Sequence, residues 1–168
     1  PYIYPNPEKI REWAHNMGVR KIKRVGLAWS GSSEHPNDHN RSLRLQELSP
    51  ILTLPFEFHS LQKEYRSNDL EALKKFPIKT HSEKLENFSD TAALIENLDL
   101  IISVDTSITH LAGSLNKEVW VMLPANPDFR WMLNRPDSPW YPSAKLFRQS
   151  KNGEWDDVVK KIASELVC

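Results

Sequence analysis

The chain has 168 residues, with 22 Lys and Arg balanced by 22 Asp and Glu, a length that suits one domain with a substantial core and is short for two. Zero net charge argues against nucleic-acid binding through a broad basic face, and a single cysteine, Cys168, excludes an internal disulfide and a cysteine-cluster zinc site and fits a reducing compartment. No apolar run is long enough to span a membrane and no signal peptide is visible, so the expected location is cytoplasmic, with the inner-membrane surface as a peripheral alternative. The opening PYIYPNP reads as an extended, proline-punctuated linker, and the absence of an initiating Met suggests a piece of a longer protein. Asn6 is placed to cap a helix with Pro7 at its first position, running through Ile10, Trp13 and Met17 to Gly18. Residues 24–30 (RVGLAWS) form a short buried strand, followed by Gly31 and a long polar loop. LRLQELSPIL (43–52) reads as a short helix, 56–62 (FEFHSLQ) as a strand, and DLEALKKF (69–76) as a helix with Asp69 near its start. PIKTH (77–81) is a candidate short strand. A helix over 89–98 takes Ser89 or Asp90 as its cap and presents Ala92, Leu94, Ile95 and Leu98. LIISV (100–104), VWVML (119–123) and AKLFRQ (144–149) are further strands, and EWDDVVKKIASEL (154–166) closes the chain as an amphipathic helix.

Strands that alternate with helices pair in parallel, because a parallel neighbour needs a crossover. Their short, wholly apolar runs are what strands covered on both faces look like. The fold expected is α/β: a Rossmann-like parallel sheet with helices on both faces. Ligands of such sheets sit outside the carboxyl ends of the strands, which directs attention to the loops after Ser30, Gln62 and Val104.

The third of these loops carries SVDTSITHLAG (103–113). Thr106 and Ser107 open a helix whose unpaired amides and dipole favour an anion. His110, four residues after Thr106 and three after Ser107, shares their face. Ala112 and Gly113 let the helix lie close on the sheet, and Asn116 supplies the left-handed residue that ends it. Asp105 would repel a phosphate, and is read as a cap or as an acceptor for ligand hydroxyls. From spacing alone a second reading stands equally: residues 105–107 only cap a helix, and His110 is an ordinary half-buried side chain.

DTSITHLAGSLNKEVWVMLP, preceded by FSDTAALIENLDLIISV, together with VGLAWSGSSEHPNDHNRS, SLQK and DSPWYPSAKLFRQ, resembles glycosyltransferase family nine, the ADP-heptose:lipopolysaccharide heptosyltransferases. The similarity is greatest to the bacterial branch fused behind tetratricopeptide repeats, which also resembles relatives of protein O-GlcNAc transferase. The resemblance covers nearly the whole chain and implies the C-terminal, donor-binding half of a GT-B fold. Residues 1–23 would be interdomain linker and helix, and 24–168 the nucleotide-sugar-binding domain. It further implies a nucleotide-diphospho-sugar substrate and a general base supplied by an N-terminal domain of the same protein. The lack of an Asp-x-Asp pair or a coherent His cluster, with helix amides and cations at hand for the phosphates, gives the expectation of no metal requirement. In the family the loop matching Asp105, Thr106, Ser107 and His110 holds the donor pyrophosphate and sugar. Family members usually have Gly where this chain has Ser107. The cation after the first strand maps onto Arg41, beside Ser30 and Gly31, and Lys63 corresponds to the phosphate-binding lysine of the O-GlcNAc transferase relatives. Phe88, Asp90 and Thr91 fall in the region near the nucleoside.

Other constellations are weaker. Arg41 and Lys63 follow adjacent strands at one sheet edge, a placement that suits a pyrophosphate, although solvated surface cations are the usual fate of such residues. His35, Asp38 and His39 invite a metal, but Pro36 works against a shared helical face, and a donor-site loop is the better reading. Trp131, Trp140 and Tyr141 are expected to pack rigidly beneath a long loop, Phe88 to act as a hydrophobic staple, and Asp128 and Arg130 to face an interdomain cleft. Two rival functions remain: a non-catalytic nucleotide-binding or scaffold module, and a GT-B-type sugar epimerase, which needs carboxylates at the sugar that this chain does not display.

Overall fold

The computed structural model describes residues 1–168. Its elements are α1 (Pro7–Met17), β1 (Arg24–Ala28), α2 (Asp38–Arg41), α3 (Ser49–Leu52), β2 (Glu57–Ser60), α4 (Leu70–Lys75), β3 (Ile78–Lys79), α5 (Phe88–Glu96), β4 (Leu100–Val104), α6 (Ser107–Ser114), β5 (Val119–Leu123), β6 (Ala144–Arg148) and α7 (Asp156–Leu166). All six strands are parallel in one sheet of order β3-β2-β1-β4-β5-β6. This is the Rossmann-like α/β sheet the alternating pattern predicts.

Every residue of β1, β4 and β5 is buried, because alternate side chains enter two different cores. Val25, Leu27, Ile102, Val104, Met122 and Phe147 point to a core closed by α3 and α7. Ile101, Val119, Val121, Leu123 and Leu146 point to the opposite core, which includes residues of α1, α5 and α6. The chain leaves β1 in one direction and β4 in the other, so the sheet has its topological switch point between these two central strands.

Local starts and stops differ from expectation where a distant or stronger partner competes. The first strand ends at Ala28, two residues early, because the amides of Trp29 and Ser30 both donate to Gln62 Oε1, at 2.7 and 3.0 Å. Residues 43–52 do not make one helix. They form a 3₁₀ turn over 45–48 and then α3, since Pro50 has no N–H to continue a helical ladder. The cap of α5 is Asn87, not Ser89 or Asp90: its Oδ1 accepts from the Ser89 and Asp90 amides while the Asp90 carboxylate accepts from the Asn87 amide. Phe88 is the first residue of that helix and 61% exposed, so it staples nothing. Thr106, and not Asp105, caps α6. Asn6 and Asn116 behave as predicted, the first accepting from Glu8 and Lys9, the second at φ 57°.

Beneath the sheet a buried polar chain ties the strands to the segment behind β3. Glu57 Oε1 lies 2.7 Å from His59 Nε2 and accepts from Arg24 Nε at 3.0 Å. His59 Nδ1 lies 2.9 Å from His81 Nε2, and His81 meets the ring of Trp13 edge-on. With both rings neutral, the carboxylate fixes the tautomers: His59 donates from Nε2 and accepts at Nδ1 from His81. Burial pushes both imidazoles down, against Glu57 in the case of His59. His81, also opposed by charge on His59, Lys84 and Lys79, falls to about 4. In the unfolded chain these rings recover the ordinary value of 6.5, so below that pH the unfolded state binds more protons. Stability should therefore rise with pH between about 4 and 6.5. Urea midpoints at pH 5 and 7 check this, and His81→Gln should flatten the slope; equal midpoints for the unmodified chain contradict it.

Candidate functional site

The carboxyl ends of β1, β2 and β4 open onto a cleft of about 570 Å³. One end is lined by Ser30, Gly31, Arg41, Lys63, Thr106 and Ser107, the other by Leu85, Glu86, Asn87, Phe88 and Thr91. The site thus lies at the switch point, as the geometry of open parallel sheets requires. Eight sequence-predicted residues meet in it: Ser30, Gly31, Arg41, Lys63, Thr106, Ser107, Phe88 and Thr91. Asp90, Asp105 and His110 do not line it.

Each wall has a local cause. Gln62, 7% exposed, locks the ends of β1 and β2 together: besides accepting two amides, its Nε2 donates to Ser30 Oγ at 3.1 Å and to the Glu64 carbonyl at 3.2 Å. The Ser30 amide is consequently engaged, and the Gly31 amide donates to Ser42 Oγ at 3.1 Å. Arg41 reaches across the switch point and donates from Nη1 to the Asp105 carbonyl at 2.9 Å. Its guanidinium lies against the bare Cα of Gly31, where a Cβ would come within 2.3 Å of Nη2; any larger residue there would displace the guanidinium from this position. Lys63 is exposed on the neighbouring wall. Thr106 Oγ1 accepts from the Ile108 amide at 3.3 Å, while the Ser107 amide begins α6, where first-turn amides have no intrahelical acceptor.

His110 occupies a different surface of α6. Ile108 faces the cleft, and two residues of helix turn the direction by about 200°. His110 Nδ1 lies 3.0 Å from Tyr141 Oη, Nε2 lies 3.5 Å from Asp105 Oδ1, and the ring stacks on Trp131 at 5.4 Å. The small residue Gly113 serves this arrangement: a Cβ there would sit 2.5 Å from Tyr141 Cγ, so it makes room for the tyrosine. Asp90 accepts from Lys9 Nζ at 2.8 Å and from the start of its own helix. These hydrogen bonds hold its carboxyl below the usual range against a burial effect that raises it.

The long loop after β5 is anchored by residues that sequence reasoning passed over. Arg148 Nη2 donates to the Trp131 carbonyl at 2.6 Å and Nε to the Arg135 carbonyl at 3.3 Å. Trp131 is fully buried as expected, but Trp140 is 53% exposed. Asp128 caps the turn at 129–131 and pairs with Arg130, whose guanidinium keeps its carboxyl low. No group of three or more His, Cys, Asp or Glu is arranged to hold a metal. Asp38 instead bonds Ser42 and Arg66, and His35 Nδ1 accepts from the Asn37 amide. Gln62 was legible only as a strand-end residue; Arg66 and Arg148 gave no sequence signal.

Residues 84–161, which carry α5, β4, α6, β5 and β6, match the model of glycosyltransferase family 9 (heptosyltransferase). Protein FlbA of Caulobacter vibrioides is 22% identical over 173 residues, covering 98% of this chain and 28% of FlbA. Among solved structures, E. coli ADP-heptose LPS heptosyltransferase II matches with a TM-score of 0.61 at 11% identity, over 99% of this chain and 52% of that protein. The glycosyltransferase family 9 protein of Veillonella parvula matches with a TM-score of 0.58 at 13% identity, over 96% and 46%. E. coli heptosyltransferase WaaC with ADP-2-deoxy-2-fluoro heptose gives 0.56 at 12% identity, over 94% and 47%. At these identities the structural likeness is one of fold. The chain spans about half the length of these structures and just over a quarter of FlbA. Its fold is the one these structures share, and residues 84–161 in its second half match the family 9 model.

Proposed function

We propose that this domain is the donor-binding half of a GT-B glycosyltransferase, holding a nucleotide-diphospho-sugar for transfer to an acceptor hydroxyl. The observation that carries the reading is the cleft at the switch point, where Arg41 and Lys63 face the start of α6. Two cations and a helix terminus suit a diphosphate, and the same groups stabilise charge on that diphosphate as it leaves the sugar. Thr91 and the exposed ring of Phe88 stand at the other end of the cleft, in position for the nucleoside. Asp105, the acid beside α6, is turned toward His110, and in this reading the base that activates the acceptor belongs to an N-terminal domain of the same protein. The half-length coverage of the heptosyltransferase structures accords with that division, and residues 1–23 then serve as the link between halves. Tetratricopeptide repeats in the longer protein and a cytoplasmic location complete the proposal; no helix here is long and apolar enough to cross a membrane.

Calorimetric titration of the domain with ADP-, UDP-, GDP- and CDP-sugars tests the reading. At least one should bind, without turnover. Because cations and amides replace a metal in this scheme, adding EDTA should leave the affinity unchanged within about twofold, well under the 1.4 kcal/mol of a tenfold change. If no nucleotide sugar binds, the reading fails; if binding is lost in EDTA, metal independence fails.

A further inference from the structure

We propose that Asp38 is a positioning residue for the cleft, setting the place of Arg41 while Arg66 takes up its charge, so that Arg41 meets a diphosphate as an available cation. This rests on the reading of the cleft as a diphosphate site. Asp38 opens α2 and is 7% exposed. Its Oδ1 accepts from Ser42 Oγ at 2.7 Å, and Ser42 Oγ accepts from the Gly31 amide at 3.1 Å. On the other side Arg66 Nη2 donates to Asp38 Oδ2, and also to the Gly31 carbonyl at 3.2 Å. Both backbone groups of Gly31 are therefore tied to one carboxylate, through two different side chains.

Arg41 lies on this frame, pressed to Gly31 and bonded to the Asp105 carbonyl. Its Nε stands 3.6 Å from Asp38 Oδ1, close enough for attraction and too far for a good hydrogen bond, and it has no acceptor of its own. That division has a consequence. The hydrogen bonds of the carboxylate go to Ser42 and Arg66, so Asp38 holds Arg41 in place without occupying its donors. Of the five donors of Arg41, Nε is buried and one on Nη1 goes to the Asp105 carbonyl, which leaves the two on Nη2 and the second on Nη1 for a ligand. The cluster of two arginines and one carboxylate also remains net positive beside the cleft.

The test is a double-mutant cycle with inorganic pyrophosphate as the probe, titrated calorimetrically into the 168-residue chain. Asp38→Asn keeps the shape and removes the charge. With Arg41 present it should weaken pyrophosphate binding roughly tenfold; in an Arg41→Ala background it should change binding less than about twofold, because contacting residues couple and independent ones add. A purely structural role gives equal losses in both backgrounds and overturns the proposal. If Asp38→Asn does not fold, Arg66→Met addresses the same frame from its other side, with the same dependence on Arg41 expected. Failure of both variants to fold assigns Asp38 to stability alone and also overturns it. If the unmodified chain binds neither pyrophosphate nor any nucleotide sugar, the diphosphate reading falls with it. If nucleotide sugars bind and the coupling is absent, only the role of Asp38 falls.

Discussion

Asp69→Ala should destabilise the domain by about 3–5 kcal/mol, the cost of leaving buried donors without their charged acceptor and opening a small void. Asp69 is fully buried at the start of α4, and its side chain makes no cap hydrogen bond to that helix. One carboxylate oxygen accepts from Trp29 Nε1 at 3.0 Å and the other from the Leu45 amide at 2.9 Å, and both donor residues are themselves fully buried. Alanine leaves an indole N–H and a backbone N–H unpaired in a dry interior, where each costs about 1–3 kcal/mol. Asp69→Asn keeps the volume but points an amide N–H₂ at one of the two donors, so roughly half the loss should remain. Urea unfolding of the three forms reads these differences; a loss below about 1 kcal/mol for alanine means water reaches the site. The same substitution should disturb the cleft, because Trp29 precedes Ser30 and shares with it the bonds to Gln62.

Removing both cations of the cleft should be the largest perturbation of ligand binding. Arg41 is mostly buried and held by the Asp105 carbonyl, so its hydrogen bonds to a phosphate form with little further ordering and in a low dielectric. Arg41→Ala should cost about 2–3 kcal/mol of diphosphate affinity. Lys63 is exposed, and its contribution should be about 1 kcal/mol and fall with added salt. The double variant should then lose roughly 3–4 kcal/mol, between two and three powers of ten in Kd. A nucleoside without phosphates should bind both forms nearly alike. Titrations of nucleoside diphosphate and nucleoside separate the two effects; equal losses for both ligands indicate a collapsed cleft and remove the phosphate assignment.

The sequence by itself determined what depends on neighbours within a few residues. Wholly apolar runs such as 100–104 and 119–123, separated by amphipathic helices, specify strands covered on both faces and hence a parallel sheet. Asn6 before Pro7 and Asn116 after α6 are legible because capping and left-handed turns are local chemistry. Strand-end positions likewise mark the loops after Ser30, Gln62 and Val104 as neighbours at one edge, since all parallel strands present their carboxyl ends together. Tertiary structure alone decided which polar side chains hold that edge in shape. Gln62 meets Ser30 across 32 positions, Asp69 meets Trp29 across 40, and Arg41 meets Asp105 across 64. No periodicity encodes such pairs, because each depends on where two separate elements come to rest. The direction of His110 was undecidable for the same reason: helical spacing permits the face of Thr106, but the ring stacks on Trp131 and the imidazole bonds Tyr141. Both partners come from the loop between β5 and β6, so their place against α6 is set by tertiary packing and not by helical spacing.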